Sequence, residues 1–193
     1  MFIFACMYKH RYSMKHTWAW HLLARCGWTI NNKVELPPKC VVCIAPHTSN
    51  WDFVLGVLCR RALGLPIAFF MKKEWFRFPL GCAMRRLGGI PVDRSRHASL
   101  TDQMAEAFAQ HDRFYIAVTP EGTRSYTRCW KRGFYVIAQK AQVPIMLAYI
   151  DYAKKELGFG RLFEPTGDIE ADMPAIKSFY KNIVAKKPEK FGY

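Results

Sequence analysis

A chain of 193 residues, 51% of them hydrophobic, is long enough for one domain with a full core and too apolar to be disordered. Its formal net charge of +14 calls for an anionic partner, either nucleic acid or an anionic membrane surface with phosphorylated substrates. Seven cysteines, an odd number at irregular spacing, exclude a disulfide framework and suit a reducing cytoplasm.

Met1 to Met7 is apolar but short, and the basic cluster Lys9, His10, Arg11 follows it, the wrong order for a secretory signal. Met1 to Ser13 carries little pattern, and Met14 offers a second start. Residues 14–30 read as a helix with Trp18, Trp20 and Trp28. At 100° per residue, Ala19, Leu22, Leu23 and Cys26 gather on one arc and His21 and Arg25 on another. Tryptophan beside basic residues suits a membrane interface; a helix packed on the core gives the same pattern. Residues 1–30 therefore read as an N-terminal segment with an interfacial helix, and 31–193 as the main domain.

Asn31-Asn32 ends that helix, and Pro37-Pro38 leads into a buried strand over Cys40 to Ala45. Cys40 and Cys43 form a C-x-x-C, but side chains three apart in a strand point to opposite faces and no second pair exists. They read as buried thiols, and no metal site is expected. His47-Thr48-Ser49-Asn50-Trp51-Asp52 follows directly. Ser49 and Asn50 are good N-cap residues for a helix over Phe53 to Arg61. His47 then sits at the mouth of a strand and Asp52 in the first helical turn. A tight turn folds that carboxylate back onto the imidazole, giving the base and orienter that hydroxyl activation requires.

Pro66 to Met71 reads as a second buried strand. The longest apolar run, Ala62 to Met71, is too short to span a membrane and contains Gly64 and Pro66. Lys72 to Leu87 mixes basic residues with Trp75, Phe76 and Phe78, a pattern that favours membrane or acyl-chain contact. Ser99-Leu100-Thr101-Asp102 resembles a capping box with the shorter acid, opening a helix with Leu100, Met104, Ala107 and Phe108 on one face. A strand over Phe114 to Val118, a helix over Gly133 to Ala141 and a strand over 144–150 follow. Residues 158–168 suggest a short hairpin, and Asp172 caps a final helix with Ile176, Phe179, Tyr180, Ile183 and Val184 at helical spacing. Strands alternating with helices imply a single α/β domain with a mixed, largely parallel sheet flanked by helices.

Four blocks stand in order: His47 to Asp52; Gly88-Gly89-Ile90-Pro91-Val92-Asp93-Arg94; Pro120-Glu121-Gly122-Thr123-Arg124-Ser125; and Val143-Pro144-Ile145. In these blocks the chain resembles the glycerolipid acyltransferases of the lysophosphatidic acid type, whose motifs are H-x4-D, an arginine after a G-x-[IV]-x-[IV]-x stretch, P-E-G-T-R-S and V-P-[IV]. Members often carry a second proline where Leu147 stands here, which touches acceptor preference more than the chemistry. The resemblance implies direct acyl transfer from acyl-carrier protein or acyl-coenzyme A to a hydroxyl, with no cofactor and no enzyme nucleophile. It makes His47 the base and Asp52 its orienter. It sets Arg94 and the Glu121, Gly122, Thr123, Arg124 block around the acceptor's phosphate, for which the planar arginine fork is suited. Gly122 lets the backbone approach the ligand. Glu121 holds an acceptor hydroxyl or braces an arginine. Ser49 as a covalent nucleophile is the rival, and it lacks the G-x-S-x-G elbow.

Two readings follow. One is an O-acyltransferase acting on a lysophospholipid-like acceptor, 1-acylglycerol-3-phosphate first, with a lyso-aminolipid or glycerol phosphate as alternatives. It works peripherally on the inner face of the cytoplasmic membrane. The other is a non-catalytic basic module for membrane or nucleic acid, which leaves H-x4-D and P-E-G-T-R-S unexplained. No nucleic-acid partner is expected, since no RNP-type aromatic block or zinc finger is present. His10, His16, His21, His97 and His111 show no metal-ligand spacing.

Overall fold

The computed structural model describes residues 17–31, 34–77, 80–92 and 99–192. Among them are α1 (Trp18–Arg25), β1 (Thr29–Asn31), β2 (Lys39–Ala45), α2 (Asn50–Ala62), β3 (Ile67–Lys72), α3 (Leu80–Arg86) and β4 (Gly89–Val92). There follow α4 (Leu100–Ala109), β5 (Phe114–Val118), α5 (Gly133–Ala141), β6 (Ile145–Asp151), β7 (Glu156–Phe163) and α6 (Ile169–Phe179). A seven-stranded sheet runs in the order β1-β7-β6-β2-β5-β3-β4. Every pairing is parallel except β6 with β7, which are antiparallel. This is the α/β domain with a mixed, largely parallel sheet that the sequence implies.

The sheet is covered on both faces, so its central strands are near-continuous apolar runs. Val41, Cys43 and Ala45 of β2 face a core with Phe108, Phe134, Ile137 and Ile176 from α4, α5 and α6. Cys40 and Val42 face the opposite core, with Ala19 and Leu23 of α1 and Leu55, Cys59 and Ala62 of α2. The two cysteines of the C-x-x-C thus lie on opposite faces, both buried, and burial pushes the Cys40 thiol up to about 12. Leu147 is fully buried within β6 and packs in the α4–α5–α6 core.

Several boundaries differ from expectation. Helix α1 spans eight residues and buries Ala19 and Leu23, while Leu22 is exposed. Residues 29–31, expected at the end of that helix, form a strand beside β7. The expected hairpin at 158–168 is instead the second arm of a β6–β7 hairpin whose turn is at 152–155. Helix α6 is capped by Asp168, whose side chain accepts from Glu170 and Ala171, four residues before the expected cap. Asp172 is buried inside that helix, where it accepts from the Tyr135 hydroxyl at 2.7 Å and from Thr166. Of the basic-aromatic stretch, Phe76 lies half-buried with the Arg85 guanidinium 5.5 Å from its ring; the side chains of Trp75 and Phe78 lie outside the described residues.

Chain direction matters for the site. Strand β2 leads into α2 on one face, and its neighbour β5 leads into α5 on the other. Where adjacent parallel strands send their helices to opposite faces, a crevice opens at their carboxyl ends. The His47–Asp52 block leaves β2 there, and Pro120 to Ser125 leaves β5 there.

Candidate active site

The turn after β2 is held by its own acid. Ser49 caps α2, its hydroxyl accepting from the Trp51 N–H at 3.2 Å, and Asp52 completes the capping box from the third helical position. The Asp52 Oδ2 atom accepts from the N–H groups of Thr48 and Ser49, each at 2.7 Å. The same oxygen lies 3.6 Å from His47 Nδ1, with the carboxylate buried and the imidazole largely so. That distance exceeds a hydrogen bond but is close enough for charge to act. Burial lowers the His47 pKa below its ordinary value of 6.5, Asp52 opposes that, and Arg124 adds to it. That shift favours the neutral imidazole, which presents Nδ1 to the acid.

His47 opens onto a pocket of about 380 Å³. Gly56, Val57 and Arg60 of α2 line one wall; Ile67, Phe69, Phe70 and Met71 of β3 and Ala117, Val118 and Thr119 at the end of β5 line the others. The lining is mostly apolar, and Arg124 joins His47 and Asp52 in it. Positions 52, 53, 56, 57 and 60 share one helix face, so α2 presents a continuous stripe to the cavity. A Cβ added at Gly56 would meet nothing within 4 Å.

Glu121 is 4% exposed, and it is not among the pocket-lining residues. Its Oε1 accepts from the His47 N–H at 2.9 Å, and its Oε2, also buried, has no hydrogen-bond partner among the described residues. Desolvation pushes its pKa up to about 7, partly offset by the bond to His47. Gly122 has φ +64, and a Cβ there would lie 2.8 Å from the Lys131 side chain, so the close approach at this glycine is Lys131 crossing the turn. Thr123 accepts from the Ser125 N–H and is exposed. Ser49 is committed to capping α2. Arg94 lies outside the described residues. The structure thus brings His47, Asp52 and Arg124 around one cavity, with Glu121 behind His47. Ile145 and Leu147 of the Val-Pro block are buried in β6, away from the pocket lining. Among the described residues no group of histidine, cysteine or acidic side chains forms a metal cluster.

Two contacts have no local signal in the sequence. The Tyr152 hydroxyl, from the β6–β7 turn, donates to Asp52 Oδ1 at 2.6 Å. The segment after α6 crosses the site: Val184 O accepts from the Tyr152 N–H at 2.9 Å, and the Lys187 N–H donates to the Thr48 hydroxyl at 3.2 Å. Further on, Gly192 O accepts from the Trp130 indole at 2.8 Å.

A histidine–aspartate pair thus stands on a strand-to-helix turn above an apolar cavity, on a largely parallel α/β sheet, and the family model described as Acyltransferase matches residues 28–150. The chain belongs to that family and is an acyltransferase. In fold it is similar to the 1-acyl-sn-glycerophosphate (LPA) acyltransferase, PlsC, from Thermotoga maritima, with a TM-score of 0.57 and 16% identity over 95% of this chain and 89% of that one. No curated protein matches the sequence significantly. Family membership decides between the two readings of the sequence in favour of the enzyme.

Proposed function

We propose that the protein moves a fatty acyl group from a thioester of acyl-carrier protein or coenzyme A to the hydroxyl of a lysophospholipid-like acceptor, 1-acylglycerol-3-phosphate first among them. The observation that carries this reading is the His47–Asp52 pair opening onto an apolar pocket with Arg124 at the same opening. The acyl chain lies along the α2 stripe. The acceptor hydroxyl gives its proton to His47 Nε2 as its oxygen attacks the thioester carbonyl. The new C–O bond forms, the tetrahedral oxyanion collapses, the C–S bond breaks, and the imidazolium returns the proton to the leaving thiolate. Asp52 stabilises the imidazolium between those steps. Arg124, with Arg94, holds the acceptor's phosphate. Glu121 acts from behind, its carboxyl fixing the His47 backbone. No enzyme nucleophile enters the sequence of bonds.

The enzyme works on the surface of an anionic membrane, on its cytoplasmic face. No helix among the described residues is long and apolar enough to cross a bilayer. Trp18 and Leu22 of α1 and Trp51 and Val54 of the adjoining α2 are exposed, 60% and 58% for the two tryptophans, and the charge of +14 supplies attraction to anionic lipid.

The test is thiol release from a long-chain acyl thioester with and without lysophosphatidic acid. Wild-type protein is expected to release thiol only with acceptor, and His47→Ala to lose at least about a hundredfold, the usual worth of a general base. Acceptor-dependent release at more than about a tenth of the wild-type rate in His47→Ala would remove His47 as the base. An acyl group trapped on Ser49 after quenching would replace the direct mechanism with a covalent one.

A further inference from the structure

We propose that Tyr152 is a third member of the base assembly, a positioning residue whose hydroxyl pins Asp52 and thereby sets how strongly that carboxylate holds the His47 imidazole. The proposal rests on His47 acting as the base. The carboxylate has two oxygens with different company. Oδ2 takes two backbone N–H groups at 2.7 Å and faces the imidazole at 3.6 Å. Oδ1 takes the Tyr152 hydroxyl at 2.6 Å. A phenol donating to a carboxylate over that distance makes a short charge-assisted bond, the stronger kind. Three donors therefore share the Asp52 charge before the imidazole draws on it.

The donor is itself fixed and cannot switch roles. The Tyr152 N–H is tied to Val184 O, the Trp28 ring stands edge-on at 5.1 Å, and the Lys186 ammonium lies 5.9 Å from the ring centre. Burial, then the bond to Asp52, pushes the phenol well above its ordinary range, so it stays protonated and donates at every working pH. The charged and titratable groups around the pair come from each neighbouring element: Arg124 and Glu121 from the loop after β5, Tyr152 from the β6–β7 turn, and Lys186 from the segment after α6. Of these, Tyr152 alone donates a side-chain hydrogen bond to Asp52 among the bonds described.

The physical consequence has a sign. Removing the phenolic O–H leaves more negative charge on Asp52 and frees it to close on Nδ1–H. The imidazolium is then better stabilised, and the His47 pKa rises. A residue that merely filled space would leave that titration where it was. Tyr152→Phe deletes one oxygen from a ring held by its neighbours, so the fold should persist. Its unfolding curve, measured beside wild type, checks that.

The experiment titrates the histidine ring resonances of labelled full-length protein by NMR, with His47 assigned by its disappearance in His47→Ala. In Tyr152→Phe the His47 pKa is expected to rise by about half a unit or more. Site-specific 3-fluorotyrosine at position 152, a more acidic phenol and a stronger donor, should shift it the other way. With lysophosphatidic acid and acyl-coenzyme A, the acid limb of the kcat/KM profile should rise by the same amount in Tyr152→Phe, kcat should fall about tenfold, and the acceptor KM should hold. An unmoved His47 titration in folded Tyr152→Phe overturns the proposal whatever the activity. A shifted titration in protein that shows no transfer in this assay sustains the pairing and overturns instead the proposed transfer from acyl-coenzyme A to lysophosphatidic acid.

Discussion

At the scale of single residues the site is defined by acids doing unlike work. Asp52 is ringed by donors, whereas Glu121 takes the His47 N–H on Oε1 and, among the described residues, has no hydrogen-bond partner on Oε2. The difference gives Glu121 a measurable signature. Its folded pKa of about 7 stands above the ordinary 4.5, so between those values the native protein holds a proton that the unfolded chain releases. The sign follows: the contribution of Glu121 to stability is present at acidic pH and is lost as pH rises through that window. Glutamine keeps an oxygen for the His47 N–H and does not titrate. Wild type should therefore lose roughly 2.5 kcal/mol relative to Glu121→Gln between pH 5 and 8, since each pH unit separating the folded from the unfolded pKa is worth about 1.4 kcal/mol. Urea unfolding of both proteins at the two pH values measures it. An equal gap at both would mean that Glu121 is ionised in the folded protein throughout. Catalysis should separate the residues too: Glu121→Gln should keep most of kcat, while Arg124→Ala should raise the acceptor KM by about one to two orders of magnitude, the worth of one charge-assisted phosphate contact.

At the scale of elements, α2 lines the pocket along its length. Its first turn holds Asp52, and Arg60, eight residues on, lies about 12 Å further along the axis at 1.5 Å per residue. Gly56 stands between them with open space beside it. Gly56→Leu should put a branched side chain into the acyl path. Turnover of long thioesters, of about sixteen carbons, should drop about tenfold relative to those of about ten, since each lost methylene contact is worth a kcal/mol or more. Gly56→Ala, which gains helix propensity, should leave the preference nearly intact. An unchanged chain-length profile in Gly56→Leu would put the acyl chain elsewhere. How far the elements could be read from sequence depended on how local their signals are. β5 and α5 match expectation residue for residue, because an apolar run and its flanking turn residues mark both. Asp172 looked like a cap because its partners, Tyr135 and Thr166, lie outside the periodic run. β1 has only three residues, and Gly158 and Gly160 weaken the strand signal of β7. The His47–Asp52 pair was legible since both residues sit on one strand-to-helix turn. The burial of Glu121 behind His47 and the hydroxyl of Tyr152 were not, because those contacts join residues 74 and 100 positions apart.

At the scale of the whole molecule, charge and exposed apolar surface should act together at a lipid surface. Trp18, Leu22, Trp51 and Val54 are exposed on the paired α1 and α2, and Lys186 sits 4.8 Å over the Trp51 ring, covering a residue of the H-x4-D block with a cation. In co-sedimentation with anionic vesicles, high salt should release only part of the protein, since a screening length of about 8 Å at physiological salt weakens the charge term and leaves the aromatic one. Trp18→Ser with Leu22→Ser should reduce the salt-resistant fraction. Complete release of wild type by salt would leave charge as the whole attraction. The long reach of the site's contacts also bears on how the chain acquires its chemistry. The His47–Asp52 turn is also tied to Glu121, Tyr152 and the Lys187 N–H, at separations of 74, 100 and 139 residues. β2 itself pairs only with strands that follow much later, β5 and β6. Contacts this distant carry the largest loop-closure entropy and form late, after local helices have begun to collapse. The turn bearing His47 and Asp52 should thus be among the last features to order during folding, and enzymatic activity should be a stricter reporter of complete folding than helical content.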